Sequence, residues 1–227
     1  MELDSLSEST TSFFTLDACN GEIAEKIIST LSKSENELSS HWLEMIEEND
    51  EINSRLRSQG IDDPSSRISI PWDDAMILFT CSIVVNNQQR PIPLGEQLSK
   101  ERFGRFPWGN GSAIDYLIEF LRPNTRNSSD NEDYDNLILL LKKLNSYCIE
   151  SPVGGEKYRS GKGGLSICGF LDKSEVYQLR NYLTGRVWSV SAEEPLDGGV
   201  RDAIKHLVSI LKSAERRGVG AMLRAHS

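Results

Sequence analysis

The feature that most constrains this chain lies near its end. Ala203, Ile204, Leu207, Val208, Leu211 and Ala214 recur at helical spacing, and Gly218 follows where such a helix would stop. A stripe that regular must be buried against another element. Val219–Ala225, directly behind it, reads as a strand. Upstream, Leu165–Leu171 reads as a strand. Asp172-Lys173-Ser174-Glu175 has the form of a capping box, and Val176, Leu179 and Leu183 follow on one helical face. Trp188–Val190 is a further short strand candidate. The order strand–helix–helix–strand lets two strands pair with both helices on one face. The expected fold class is therefore α+β, mainly helical with a small C-terminal sheet.

The rest of the chain reads as helices joined by long polar segments. Residues 1–12, rich in Ser, Thr and Glu, predict a disordered tail. Residues 13–227 are expected to form one α+β domain, with candidate subdomain breaks near 125–133 or 150–164. Phe13-Phe14-Thr15-Leu16 fits a short strand or a docking segment. Ile23, Ala24, Ile27, Ile28 and Leu31 predict a helix over 22–32. A long helix is predicted over 35–59 from Leu38, Trp42, Met45, Ile52 and Leu56, with Asn49 where an apolar residue would fall and Gly60 as the stop. The two would form an antiparallel hairpin. Residues 61–69 read as a loop, and Pro71, Asp73 and Asp74 as the opening of a helix with its buried body at Met76–Val85. A strand over Ser82–Val85 fits the same apolar run. Asn86–Gly111 is a long Pro/Gly-rich connection. Ser112 is an N-cap candidate for a helix ended by Pro123. Residues 124–132 read as a polar insertion, Leu137–Cys148 as a helix and 150–164 as a glycine-rich loop.

Charge is segregated along the chain. The net charge is −9, yet residues 1–64 carry fifteen acidic groups against Lys26, Lys33, Arg55 and Arg57, which is −11; the remainder is +2. Such an N-terminal surface repels nucleic acid and anionic membranes and attracts a basic partner. Glu44, Glu47, Glu48 and Glu51, on the polar faces of the predicted 35–59 helix, are the candidate partner-binding residues. No apolar run is long enough to span a bilayer, and Met1-Glu2-Leu3-Asp4 has no signal-like character. Cys19, Cys81, Cys148 and Cys168 are widely spaced, which fits free thiols in a reducing, cytoplasmic compartment.

The familiar chemistries find no footing. Around Lys162 the glycine spacing fails the phosphate-loop pattern, because Gly155 and Gly161 are separated by five residues and Gly163 follows the lysine. His41, His206 and His226 are scattered and no C-x-x-C occurs, so no zinc site is expected. Asp130–Asp135 is dense in oxygen ligands but lacks the glycine and distal glutamate of a calcium loop. No nucleophile elbow is present. Neither a cofactor nor a catalytic residue is expected, although a site assembled through space stays open.

One stretch stands apart. Arg102, Arg105, Phe106 and Trp108 lie on a Gly/Pro scaffold that leads into Ser112. Arginine with aromatic anchors fits a ligand or partner loop, and free backbone donors at the Ser112 helix start fit an anion. The commoner reading of such residues is an aromatic cluster pinning a long loop to the core.

Gly169-Phe170-Leu171-Asp172-Lys173-Ser174-Glu175-Val176, the helix ending Ala214-Glu215-Arg216-Arg217-Gly218 and the terminal strand together resemble uncharacterised bacterial domain families of toxin–immunity or defence loci. The resemblance covers residues 165–225 and brings no catalytic motif. It implies a bacterial, non-catalytic protein. Combined with the acidic segment, it yields the leading expectation: a binding protein that neutralises or regulates a basic protein partner, for example a toxin. The alternatives are a small-ligand protein or enzyme using the Arg102–Ser112 loop with His206, and a structural or assembly subunit.

Overall fold

The computed structural model describes residues 13–95, 103–124, 131–145, 165–185 and 187–226. The predicted tail at 1–12 and the loop at 150–164 lie outside these residues, as do 125–130 and Cys148.

The expected α+β class holds. The elements run β1 (Phe13–Cys19), α1 (Gly21–Leu31), α2 (Glu35–Glu48), α3 (Asp50–Ser58), α4 (Asp74–Ser82), α5 (Ala113–Phe120), β2 (Leu121–Pro123), α6 (Asn131–Leu144), β3 (Ser166–Leu171), α7 (Lys173–Gly185), β4 (Trp188–Val190), α8 (Gly199–Arg217) and β5 (Gly220–His226). None of the described helices is long and apolar enough to cross a membrane.

The predicted strand–helix–helix–strand unit is present as β3-α7-α8-β5, with β3 and β5 antiparallel neighbours. Its helix starts and stops follow from local chemistry. Glu175 N–H donates to Asp172 Oδ1 at 2.8 Å and Asp172 N–H to Glu175 Oε2 at 2.9 Å, a complete capping box. Gly218 ends α8 in the left-handed conformation at φ 65°. The N-terminus of α8 is held by Glu194, whose carboxylate accepts from Val200 N–H at 2.5 Å and from Tyr116 OH at 3.1 Å.

The first strand completes the sheet. The order is β1-β5-β3, so the last strand of the chain is central and the first lies along its whole length, from Phe13 opposite His226 to Cys19 opposite Gly220. The far edge of β1 is also covered. Val84 N–H donates to Ala18 O, Ala18 N–H to Ile92 O and Leu94 N–H to Leu16 O, all at 2.8–2.9 Å. The helical body expected over Met76–Val85 ends at Ser82, where α4 stops, and the alternative strand over Ser82–Val85 is not formed either: the chain beyond α4 is extended, with isolated bridges at Ile83 and Val85 only.

Helices cover both faces of the sheet. Phe14, Leu16, Ala18, Ala221 and Leu223 point to the core shared with α5–α8. Cys19, Met222, Ile167 and Phe170 point to the core shared with α1–α4. On this second face the sheet also carries charge. Asp17 is 2% exposed, and its Oδ2 accepts from Arg224 Nε at 2.6 Å and from Thr15 Oγ1 at 3.2 Å. The Arg224 guanidinium stacks 4.6 Å from the Phe79 ring of α4.

The 35–59 helix is two helices. Asn49 breaks it with φ −128° and ψ 87°. Its amide nitrogen donates to Met45 O at 2.7 Å, satisfying a carbonyl at the end of α2, and its Oδ1 accepts from Lys26 Nζ at 3.0 Å. The turn lets Trp42, Met45 and Ile46 of α2 and Ile52 and Leu56 of α3 enter one core. Trp42 is fully buried and donates from Nε1 to Pro64 O at 2.8 Å. Helix α6 begins earlier than the apolar pattern indicates. Asn131–Asp135 is its first turn, where Glu132 and Asp133 suit the positive end of the helix.

Removing one member of the buried Asp17–Arg224 pair leaves a charge stranded in the sheet. Arg224→Met is expected to cost about 3–5 kcal/mol in urea denaturation, and the double variant Asp17→Asn/Arg224→Met much less.

Candidate functional site

The acidic segment folds into a surface with a simple construction. The core stripe of α2 turns Trp42, Met45 and Ile46 inward, so Glu44, Glu47 and Glu48 point to solvent; Glu51, in the first turn of α3, is also exposed. Among the described residues, no ion pair or side-chain hydrogen bond engages any of the four carboxylates. Leu43, 40% exposed, stands among them. The four predicted partner-binding residues thus lie on two successive helices joined at Asn49.

Glu51 also borders a groove beside this face. One concavity, of about 400 Å³, lies between the α3 side chains Glu51, Ser54, Arg55 and Ser58 and the Ser82–Val85 segment with Gln89. A second, of about 210 Å³, lies at the sheet end beneath Gly21, Asp172 and Gly220. Both include Asn20, Glu51 and Val84. Arg55 braces the wall, donating to Thr80 O at 3.0 Å, Ile83 O at 3.2 Å and Gln89 Oε1 at 3.0 Å. At the second concavity Glu22 is paired with Lys173 at 3.2 Å. Burial pushes the Cys19 thiol well above its usual range, with the negative charges of Asp17 and Asp172 adding to it. Burial likewise pushes the Cys81 thiol up to about 12, against the opposing charge of Arg55. Neither thiol is an activated nucleophile.

The carboxylate oxygens of Glu25, Asp172 and Glu175 lie within 4.8 Å of one another. Lys143 Nζ supplies a cation there, 3.3 Å from Glu25 and 2.5 Å from Glu175. This cluster is an ion-pair network that ties α6 to α1 and α7.

The described part of the Arg102–Ser112 segment, residues 103–112, packs against the core. Arg102 lies outside the described residues. Phe106 is buried with its ring 4.7 Å from Tyr116, and Trp108 meets Tyr116 and Phe120 edge-on at 5.2 and 5.5 Å. Ser112 is 1% exposed, and its Oγ accepts from Asp115 N–H at 3.2 Å as the cap of α5. Its own N–H donates to Asn110 Oδ1 at 3.0 Å, so that donor is already engaged. Arg105 is exposed, with its guanidinium 5.4 Å from the Phe13 ring. Burial, together with the hydrogen bond to and charge of Glu194, pushes the Tyr116 phenol up to about 12. Neither of the two concavities is lined by Arg105, Phe106, Trp108, Ser112 or His206.

Sequence reasoning reached the acidic face and missed the groove. Ser54 and Ser58 sit at helical spacing from Glu51, which is legible, but the opposite wall comes from residues about thirty positions later. A backbone signal marks that wall: Gln89 turns the chain with φ 58°, a conformation uncommon outside glycine.

Burial opposes the charged form of Asp172, but hydrogen bonds from Glu175 and Ser174, with the charge of Lys143, outweigh it and hold the carboxyl below its usual range. The stabilisation this provides is complete above about pH 3.9 and is lost as pH falls through the depressed value. Asp172→Ala is therefore expected to lower stability by about 1 kcal/mol at neutral pH. Acid titration followed by circular dichroism should show that difference shrinking at the acid end.

The chain matches no protein-family model, no curated protein and no solved structure.

Proposed function

We propose that the protein is a non-catalytic binding module that holds a basic protein partner on the α2–α3 face, in the manner of an immunity protein that neutralises a toxin. The observation that carries this reading is the set of four exposed carboxylates, Glu44, Glu47, Glu48 and Glu51, none of them paired with a cation among the described residues. Exposed like charges on neighbouring turns repel one another and cost stability. A basic partner relieves that repulsion and is steered toward the face over a Debye length of roughly 8–10 Å. Leu43, exposed on the same helix next to Glu44, offers an apolar contact.

The test uses a labelled arginine- and lysine-rich peptide, followed by fluorescence anisotropy. Binding is expected to weaken steeply as salt rises. Reversing Glu44, Glu47, Glu48 and Glu51 to lysine is expected to weaken it by at least about tenfold. A control of equal charge change uses Glu119, Glu193, Asp197 and Asp202, all exposed and off this face. Equal losses in the two variants would reduce the effect to net charge and reject the α2–α3 face.

A further inference from the structure

The groove beside the acidic face has features of its own. Its α3 wall presents Glu51, Ser54, Arg55 and Ser58, positions that fall on one side of a helix. The facing wall is formed by Cys81–Val85, of which Val84 and Val85 are partly exposed, with Gln89. Three hydrogen bonds from Arg55 fix the two walls to each other, so the groove exists before anything enters it. They also turn the guanidinium onto those acceptors, while the Glu51 carboxylate, which lines both concavities, has no ion-pair or hydrogen-bond partner among the described residues.

From this we infer that the groove seats an extended, arginine- or lysine-bearing segment of the partner; the inference rests on the basic-partner reading above. Charge selects the class of occupant. Together the linings carry Glu22, Glu51 and Asp172 against Arg55 and Lys173, and both of those cations are engaged within the protein. Glu51 is shared by both concavities and follows Glu44, Glu47 and Glu48 across the Asn49 turn, so a basic chain held by those carboxylates has a further carboxylate to meet in the groove. Size selects the conformation. A helix with its side chains is about 10–12 Å across. Concavities of about 400 and 210 Å³ joined at Asn20, Glu51 and Val84 take side chains from a single extended strand. The lining suits a long basic side chain, because Val84 and Val85 can cover its methylene stem while Glu51 meets its charge.

The experiment uses the full chain and the same arginine- and lysine-rich peptide. Ser54 and Ser58 are exposed, so Ser54→Trp and Ser58→Trp fill the groove without entering either core, and Ser58 stands two turns from Glu51. Each is expected to weaken peptide binding by about tenfold or more with an unchanged thermal melt, and Ser54→Ala to bind like the wild type. Two fillings guard against one of them disturbing α3. Wild-type affinity in both tryptophan variants, with binding still lost on reversal of Glu44, Glu47 and Glu48, would overturn the groove and leave the face standing. Absence of binding by the wild type at low salt would overturn the basic-partner reading and the groove with it.

Discussion

The pairing of the first strand with the last is the interaction on which this structure depends. β5 is central, and β1 runs antiparallel along all seven of its residues. Without β1 the sheet reduces to β3 and β5, and two-stranded ribbons are marginal alone. With it, alternate residues serve two cores at once. Phe14, Leu16 and Ala18 close the face toward α5–α8, while Cys19 joins the core of α1–α4. The buried Asp17–Arg224 pair fixes the alignment of the two strands, because a slip of one strand by one residue would put the two charges on opposite faces of the sheet.

That arrangement places the acidic surface. Helices α1–α4 lie on one side of the sheet, and Trp42 and Asn49 set how α2 and α3 lie on it: Trp42 through its bond to Pro64, Asn49 by ending α2 and starting α3. The carboxylates then project from a rigid support. Covering of the far edge of β1 by residues 82–94 builds the facing wall of the groove with the same segment that protects the sheet. The position of the acidic face is thus a consequence of how the N-terminal helices are anchored.

Much of the local structure was legible in the sequence because the signals are local. The stripe of α8 with Gly218, the capping box at Asp172–Glu175 and the cap at Ser112 each act within a few residues, and each appears as expected. The break at Asn49 was visible only as a missing apolar residue, since its cause is a side chain reaching back to Met45 and across to Lys26. The place of β1 could not be read, because its partner lies more than two hundred residues away. The aromatic loop illustrates the ambiguity of composition. Phe106 and Trp108 fit a binding loop or a core cluster until Tyr116 and Phe120 are brought beside them by α5. The acidic face was legible because exposed charge follows from the inward turn of the apolar stripe; the groove was not, because its walls meet only in three dimensions.

Native-state hydrogen exchange of the β1 and β5 amides tests this account most directly. If the pairing of first and last strands holds both cores together, the amides of Phe14–Ala18 and Ala221–Arg224 exchange only through global unfolding, with the same free energy and denaturant dependence. Exchange of the β1 amides by local opening, at markedly lower free energy than those of β5 and β3, would show that the fold stands without its first strand and would contradict the account.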